Sequence, residues 1–217
     1  MVAEPKCRPI LFSGEMVRAI LDGRKMQTRR VIKPQPEHEL GELPGPAWND
    51  GFVDVRCPYG RPGDRLWVKE SYRLPAGVDS LRPGMVWEGA TVWHEATDGV
   101  SPTGCPGGPG KLRPSIFMRR WMSRITLEIA GVRVERVQGI DIDGVGAEGV
   151  DLENEGRAMD AFGYAEHFQI GGVSLGSYRM PEIYAFAELW DSINAKRGHP
   201  WESNPWVWVV EFRRLQP

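Results

Sequence analysis

Apolar residues Met16, Val17, Ile20 and Leu21 in "GEMVRAILDGRK" recur at helical spacing. The spacing predicts a helix there, with Ser13 as its N-cap and Gly23 as its stop. "TRRVIKP" reads as a short strand ending at Pro34. "RLWVKESY" alternates after the turn signal "RPGD" and predicts another strand, and "GMVWEGATVWH" is compatible with a hairpin. The clearest strand is "SRITLEIAGVRVERV". Ile125, Leu127 and Ile129 alternate with polar neighbours, and Val132 and Val134 continue beyond Gly131, where a bend or bulge in a curved sheet is expected. "DIDGVGAEGV" predicts a short helix weakened by its glycines. "PEIYAFAELWDSINAKR" predicts an amphipathic helix with Pro181 at its start and basic residues in its last turn. "NPWVWVVEFRRL" closes the chain as a strand with Trp206, Trp208, Val210 and Phe212 on one face.

Between these elements lie stretches with little periodicity, at about residues 34–55, 74–115 and 152–180. They read as insertions, the second of them as an insertion or lid, in a single domain of 217 residues. No internal repeat is present. The order helix, several strands, helix, strand predicts an α+β fold built on a small, mostly antiparallel β-barrel with flanking helices.

Composition narrows the class. Hydrophobic content of 41% and charged content of 26% are those of a soluble globular protein. No apolar run approaches the roughly 18 residues of a membrane span, and the N-terminus lacks the apolar stretch of a signal peptide. Cys7, Cys57 and Cys105 are odd in number and far apart, which argues against a disulfide framework and fits the cytoplasm. His38, His94, His167 and His199 are scattered, and no Cys/His pair has zinc-site spacing, so neither a metal nor a cofactor is expected.

Charge changes the picture more. The net charge is −2, yet Arg18, Arg24, Lys25, Arg29, Arg30 and Lys33 face a single Asp22 within one stretch. Lys111, Arg113, Arg119, Arg120 and Arg124 form a second block with no acid. Charge alone favours two solvated faces. Trp121 beside Arg119 and Arg120 points toward phosphates and unpaired bases instead. Lys25 and Thr28 are three residues apart and share a face if the helical turn persists. A Lys base beside a Thr hydroxyl can generate a nucleophile when neighbouring positive charge or burial keeps the amine neutral. Spacing alone favours a plain helix end carrying cations and an incidental Thr. Glu70 and Glu148 are candidate general acids or bases. "GCPGGPGK" lacks the spacing of a phosphate loop, and there is no Ser-His-Asp signature.

Five stretches, "MVRAILDGRKMQTRR", "RPGDRLWV", "SRITLEIAGVRVERV", "GAEGV" and "NPWVWVVEFRRL", resemble in their order the ASCH family, whose fold is related to PUA domains. "CPYG", "WVKES", "RPSI" and "LWDSIN" resemble its longer bacteriophage and prophage form. The resemblance implies a nucleic-acid-related role. One small bacterial member is an N4-acetylcytidine amidohydrolase, and its catalytic Lys and Thr map onto Lys25 and Thr28 through "GRKxxT". Its catalytic Glu maps onto Glu148 of "AEG", with Glu70 as second choice. Arg30 matches the trailing arginine of the motif. Arg29, Trp67, Glu70, Arg119, Arg120 and Trp121 complete the expected substrate-binding set. Met26 replaces a usual small polar residue. The implied activity is hydrolysis of an acylated cytosine nucleoside or nucleotide. The alternatives are a non-catalytic reader of RNA, single-stranded DNA or a modified base, and a ribonuclease.

Overall fold

The computed structural model describes residues 4–36, 56–98, 108–150, 169–170, 173–174 and 181–216. In chain order the strands and α-helices are β1 (Cys7–Leu11), α1 (Gly14–Leu21), β2 (Gln27–Val31), β3 (Arg65–Lys69), β4 (Tyr72–Arg73), β5 (Trp93–His94), β6 (Thr126–Arg136), α2 (Ile142–Ala147), β7 (Gln169–Ile170), β8 (Val173–Ser174), α3 (Pro181–Asn194) and β9 (Trp206–Leu215). The main sheet has five strands in the order β1-β3-β6-β9-β2. The α+β class holds. No pairing joins β1 to β2 among the described residues, so the sheet does not display the expected closed barrel.

The chain divides into two compact units, and β6 and β9 each run from one into the other. In the first unit, residues 1–23, 58–130 and 212–217, α1 forms as its pattern predicts. The Ser13 hydroxyl accepts a hydrogen bond from the Met16 N–H, and Val17, Ala19 and Ile20 are buried. Ser13→Ala is therefore expected to cost about 1 kcal/mol of stability. A urea midpoint unchanged at constant slope would show that the cap contributes nothing. "CRPIL", which carries no clear alternation, forms β1 parallel to β3, and β3 pairs antiparallel with β6. Tertiary pairing overrides the weak local signal there.

The described part of 74–115 contributes to a core of its own. Leu74, Val78, Val86 and Ala90 pack with Tyr72, Met118 and Met122 into a hydrophobic cluster. The hairpin expected over "GMVWEGATVWH" does not form. Its start is a 3-10 turn at Pro83–Met85, and its end supplies β5, which pairs with β4. The loop read at 34–55 and the insertion at 152–180 lie largely outside the described residues.

In the second unit, residues 24–57 and 131–211, β2 pairs antiparallel with β9, from Gln27 opposite Glu211 to Val31 opposite Val207. Helices α2 and α3 cover one face of that pair, where Val145, Phe186, Trp190, Val207 and Val209 form the core. β9 is buried on both faces from Trp206 to Val210, which explains a nearly continuous apolar run in place of alternation. β6 runs unbroken through Gly131. The glycine makes room for a carboxylate, since a Cβ there would sit 2.6 Å from the Glu211 Oε2. Among the described residues no helix is long and apolar enough to cross a membrane.

Candidate functional site

A short helix exposes its last carbonyls, and these need donors from elsewhere. At the end of α2 the donors come from the basic segment 24–26. The Met26 N–H binds the Ala147 carbonyl at 2.8 Å, the Lys25 ammonium the Glu148 carbonyl at 2.6 Å, and the Arg24 guanidinium the Gly149 carbonyl at 3.1 Å. Gly149 takes the left-handed conformation, with φ at 85°, that ends the helix. The Asp141 carboxylate caps the other end by accepting from the Gly144 N–H at 2.8 Å. "GRK" and "GAEG", more than a hundred residues apart, are thus stapled together.

The staple brings two charges into the interior. The Lys25 side chain is completely buried, and its Nζ lies 2.8 Å from the Glu148 Oε2. Arg29 donates from Nη1 to the Glu148 Oε1 at 3.3 Å and from Nη2 to the Glu135 Oε2 at 3.1 Å. Glu135 is bound in turn by Arg133, which also holds Glu211. Lys25, Glu148, Arg29, Glu135, Arg133 and Glu211 form a chain of alternating sign in which each charge meets its opposite. Burial pushes the Lys25 amine below the usual lysine range; Glu148 opposes that shift, and the charges of Arg30 and Arg29 add to it.

The helical premise for Lys25 and Thr28 does not hold. α1 ends at Leu21, Lys25 lies in the turn that follows, and Thr28 is already in β2. Side chains alternate along a strand. Gln27 and Arg29 reach α2 and Glu148, and Arg29 also lies 5.9 Å from the Phe186 ring centre, so they occupy the helix-covered face. Thr28 and Arg30 occupy the other face, where they sit opposite Val210 and Trp208 of β9. Thr28 is buried. Lys25 precedes the strand at its end, with both Arg29 and Arg30 close enough to act on its charge.

The remaining expected site residues belong to the first unit. Glu70 is buried with its two carboxylate oxygens each 3.0 Å from the Arg124 guanidinium, a structural ion pair rather than an available acid. Trp67 is half-buried, with the Lys69 ammonium 5.5 Å from its ring centre. Arg119 and Arg120 are exposed, and Arg120 donates to the Thr126 hydroxyl at 3.1 Å. Trp121 is half-buried and packs against the Tyr72–Met122 cluster. Arg113 is buried and binds the Val78 and Leu81 carbonyls, so the second basic block is split between interior and surface. Sequence reasoning missed Gln27, Arg133, Glu135 and Glu211. For Arg133 and Glu135 the one signal was polar residues two apart in "RVE", which share a face of β6; Gln27 and Glu211 had none.

No family model matches the chain. No curated protein matches it either. Two solved structures are similar. One is an ASCH domain from Lactobacillus crispatus JV V101, at 9% identity and a TM-score of 0.39, covering 97% of this chain and 80% of that one. The other is protein EF3133 from Enterococcus faecalis V583, described with the family model DUF984, at 10% identity and a TM-score of 0.33, covering 99% and 82%. The first of these carries the same family name as the sequence resemblance.

Proposed function

We propose that the chain is an amidohydrolase that removes the acyl group from an N4-acylated cytosine nucleoside or nucleotide, with Lys25 and Glu148 as its proton-transfer pair. The observation that supports it is the buried Lys25–Glu148 contact, in which burial lowers the proton affinity of the amine. The substrate class comes from the resemblance of "GRKxxT" and "AEG". Transfer of one proton along the 2.8 Å hydrogen bond leaves a neutral amine and a neutral acid side by side. The neutral amine then takes the proton of the Thr28 hydroxyl as its oxygen attacks the acyl carbonyl. Arg30, on the same strand face as Thr28, steadies the oxyanion. Collapse breaks the C–N bond, and Glu148 supplies the proton that the departing exocyclic amine needs. Water hydrolyses the resulting Thr28 ester. Its proton goes to the Glu148 carboxylate, and the Lys25 ammonium returns a proton to the Thr28 oxygen.

Thr28→Ala tests this sequence of steps. It is expected to lower turnover of N4-acetylcytidine by about 10²-fold or more while leaving the dissociation constant within about threefold. The reacting Lys25–Glu148 pair shares one proton, so kcat/KM should fall at high pH as that proton is lost, with the fall beginning below the ordinary lysine pKa of about 10.4. Wild-type turnover by Thr28→Ala would remove the threonine from the mechanism and leave water as the nucleophile.

A further inference from the structure

We propose that Glu135 is a positioning residue for the Lys25–Glu148 pair: it shares the Arg29 guanidinium with Glu148, and so keeps that buried cation from locking the Glu148 carboxylate in its charged form. The catalytic consequence rests on the amidohydrolase reading, whereas the coupling is a property of the folded chain.

Glu70 and Glu148 are both buried carboxylates held by an arginine, and the two arginines hold them differently. Arg124 grips Glu70 as a fork, with Nε on Oε1 and Nη2 on Oε2, each at 3.0 Å. One cation takes both oxygens, which is the strong, fixed form of the contact. Arg29 does not dock this way. Its Nη1 reaches Glu148 at 3.3 Å and its Nη2 reaches Glu135 at 3.1 Å. Its Nε is buried with no hydrogen-bond partner among the described residues. Glu148 therefore gives only Oε1 to Arg29 and keeps Oε2 for Lys25, 2.8 Å away.

Charge balance explains the split. The side chains of Lys25, Arg29 and Glu148 are 0%, 2% and 5% exposed, and two cations with one carboxylate leave one positive charge over. An uncompensated charge in the interior is costly. Glu135 supplies the missing negative charge from a position 27% exposed, where water still reaches it. Arg133 holds Glu135 from the outer side and also binds Glu211. The charges acting on Lys25 include Glu148 of the α2 end and Arg29 and Arg30 of β2. From α3, the Phe186 ring centre lies 5.9 Å from the Arg29 guanidinium.

Without Glu135 the whole Arg29 charge would fall on Glu148 and Lys25. It would hold Glu148 ionised and oppose movement of the proton from the Lys25 Nζ to the Glu148 Oε2. With Glu135 in place, Arg29 orients one oxygen of Glu148 while its charge is divided between two carboxylates.

The test is an NMR titration of the Lys25 side chain in lysine-labelled protein, its signal assigned by its loss in Lys25→Met. Glu135→Gln keeps the shape and an acceptor for Arg29 but removes the charge. It should move the Lys25 titration down by about 0.5–1 pH unit, the direction expected when a nearby negative charge is lost. Glu135→Asp, which keeps the charge, should restore most of that shift. Arg29→Met should move the titration up instead, and in that background Glu135→Gln should lose most of its effect, because the cation it acts through is gone. Glu128→Gln, a control on the same strand whose partner is Arg213, should match the wild type. With N4-acetylcytidine, Glu135→Gln should lower kcat about tenfold with KM within about twofold, as expected of a misplaced reacting group. Its fall in kcat/KM at high pH should move down with the Lys25 titration. An unmoved Lys25 titration in folded Glu135→Gln would overturn the proposal. So would an equal shift in Glu128→Gln, or an undiminished effect of Glu135→Gln in the Arg29→Met background. Absence of acetate release from the wild type would remove the amidohydrolase reading, while the titrations would still decide whether Glu135 acts on the pair.

Discussion

Replacing Lys25 with methionine is expected to lower kcat/KM for N4-acetylcytidine by about 10³-fold, within the range of a lost general base. Methionine matches the length of the buried stem and removes only the amine. Lys25→Arg should be equally inactive, because a guanidinium remains protonated and cannot accept the Thr28 proton. The pair of variants separates two roles of the residue. Arginine keeps a positive charge beside Glu148 and a donor for the Glu148 carbonyl, so retained activity in Lys25→Arg would mean that charge, not basicity, is what the site uses.

The second large effect is on stability. Glu148→Leu leaves Lys25 and Arg29 buried without the carboxylate that both contact. Breaking a buried ion pair from one side costs about 3–5 kcal/mol, because the surviving charge is neither solvated nor paired. The double variant Lys25→Met with Glu148→Leu should recover most of that loss, since it removes the stranded ammonium and leaves Arg29 with Glu135. Urea unfolding of the two single variants and the double variant gives the coupling directly. Simple additivity would show that the two side chains do not share a desolvated contact. The Lys25 shift also has a sign in this experiment. Between its lowered folded pKa and the unfolded value near 10.4, the unfolded chain binds more protons, so the Lys25 contribution makes the fold more stable as pH rises through that window. Lys25→Met should lose this pH dependence.

How much of this was legible in the sequence follows from which residues make local signals. α1, α3, β3, β6 and β9 carry periodicity, caps or turn signals, and they form where the pattern places them. β1 does not announce itself, because "CRPIL" depends on parallel pairing with β3 for its conformation. The packing within 74–115 was hidden for a related reason. Leu74, Val78 and Val86 are too widely spaced to show a period, yet they share one cluster around Tyr72. At the site, the basic segment and "AEG" were both visible, and the Lys25–Glu148 contact joins them across 123 residues of chain. What local spacing misjudged was the geometry around Thr28. Helical counting put it on one face with Lys25, whereas the chain has already become a strand, and strand alternation sends Thr28 and Arg29 to opposite faces. Glu135, Arg133 and Glu211 were invisible as a group, because their pairing depends on tertiary contacts between β6, β2 and β9.

The most direct test of the central claim is acetate release from N4-acetylcytidine by the wild-type chain, measured beside Lys25→Met at several pH values. Stoichiometric acetate and cytidine are expected from the wild type, with a rate that falls at high pH below the ordinary lysine range, and no release above background from the variant. Absence of acetate from the wild type, or an equal rate in the variant, would contradict it.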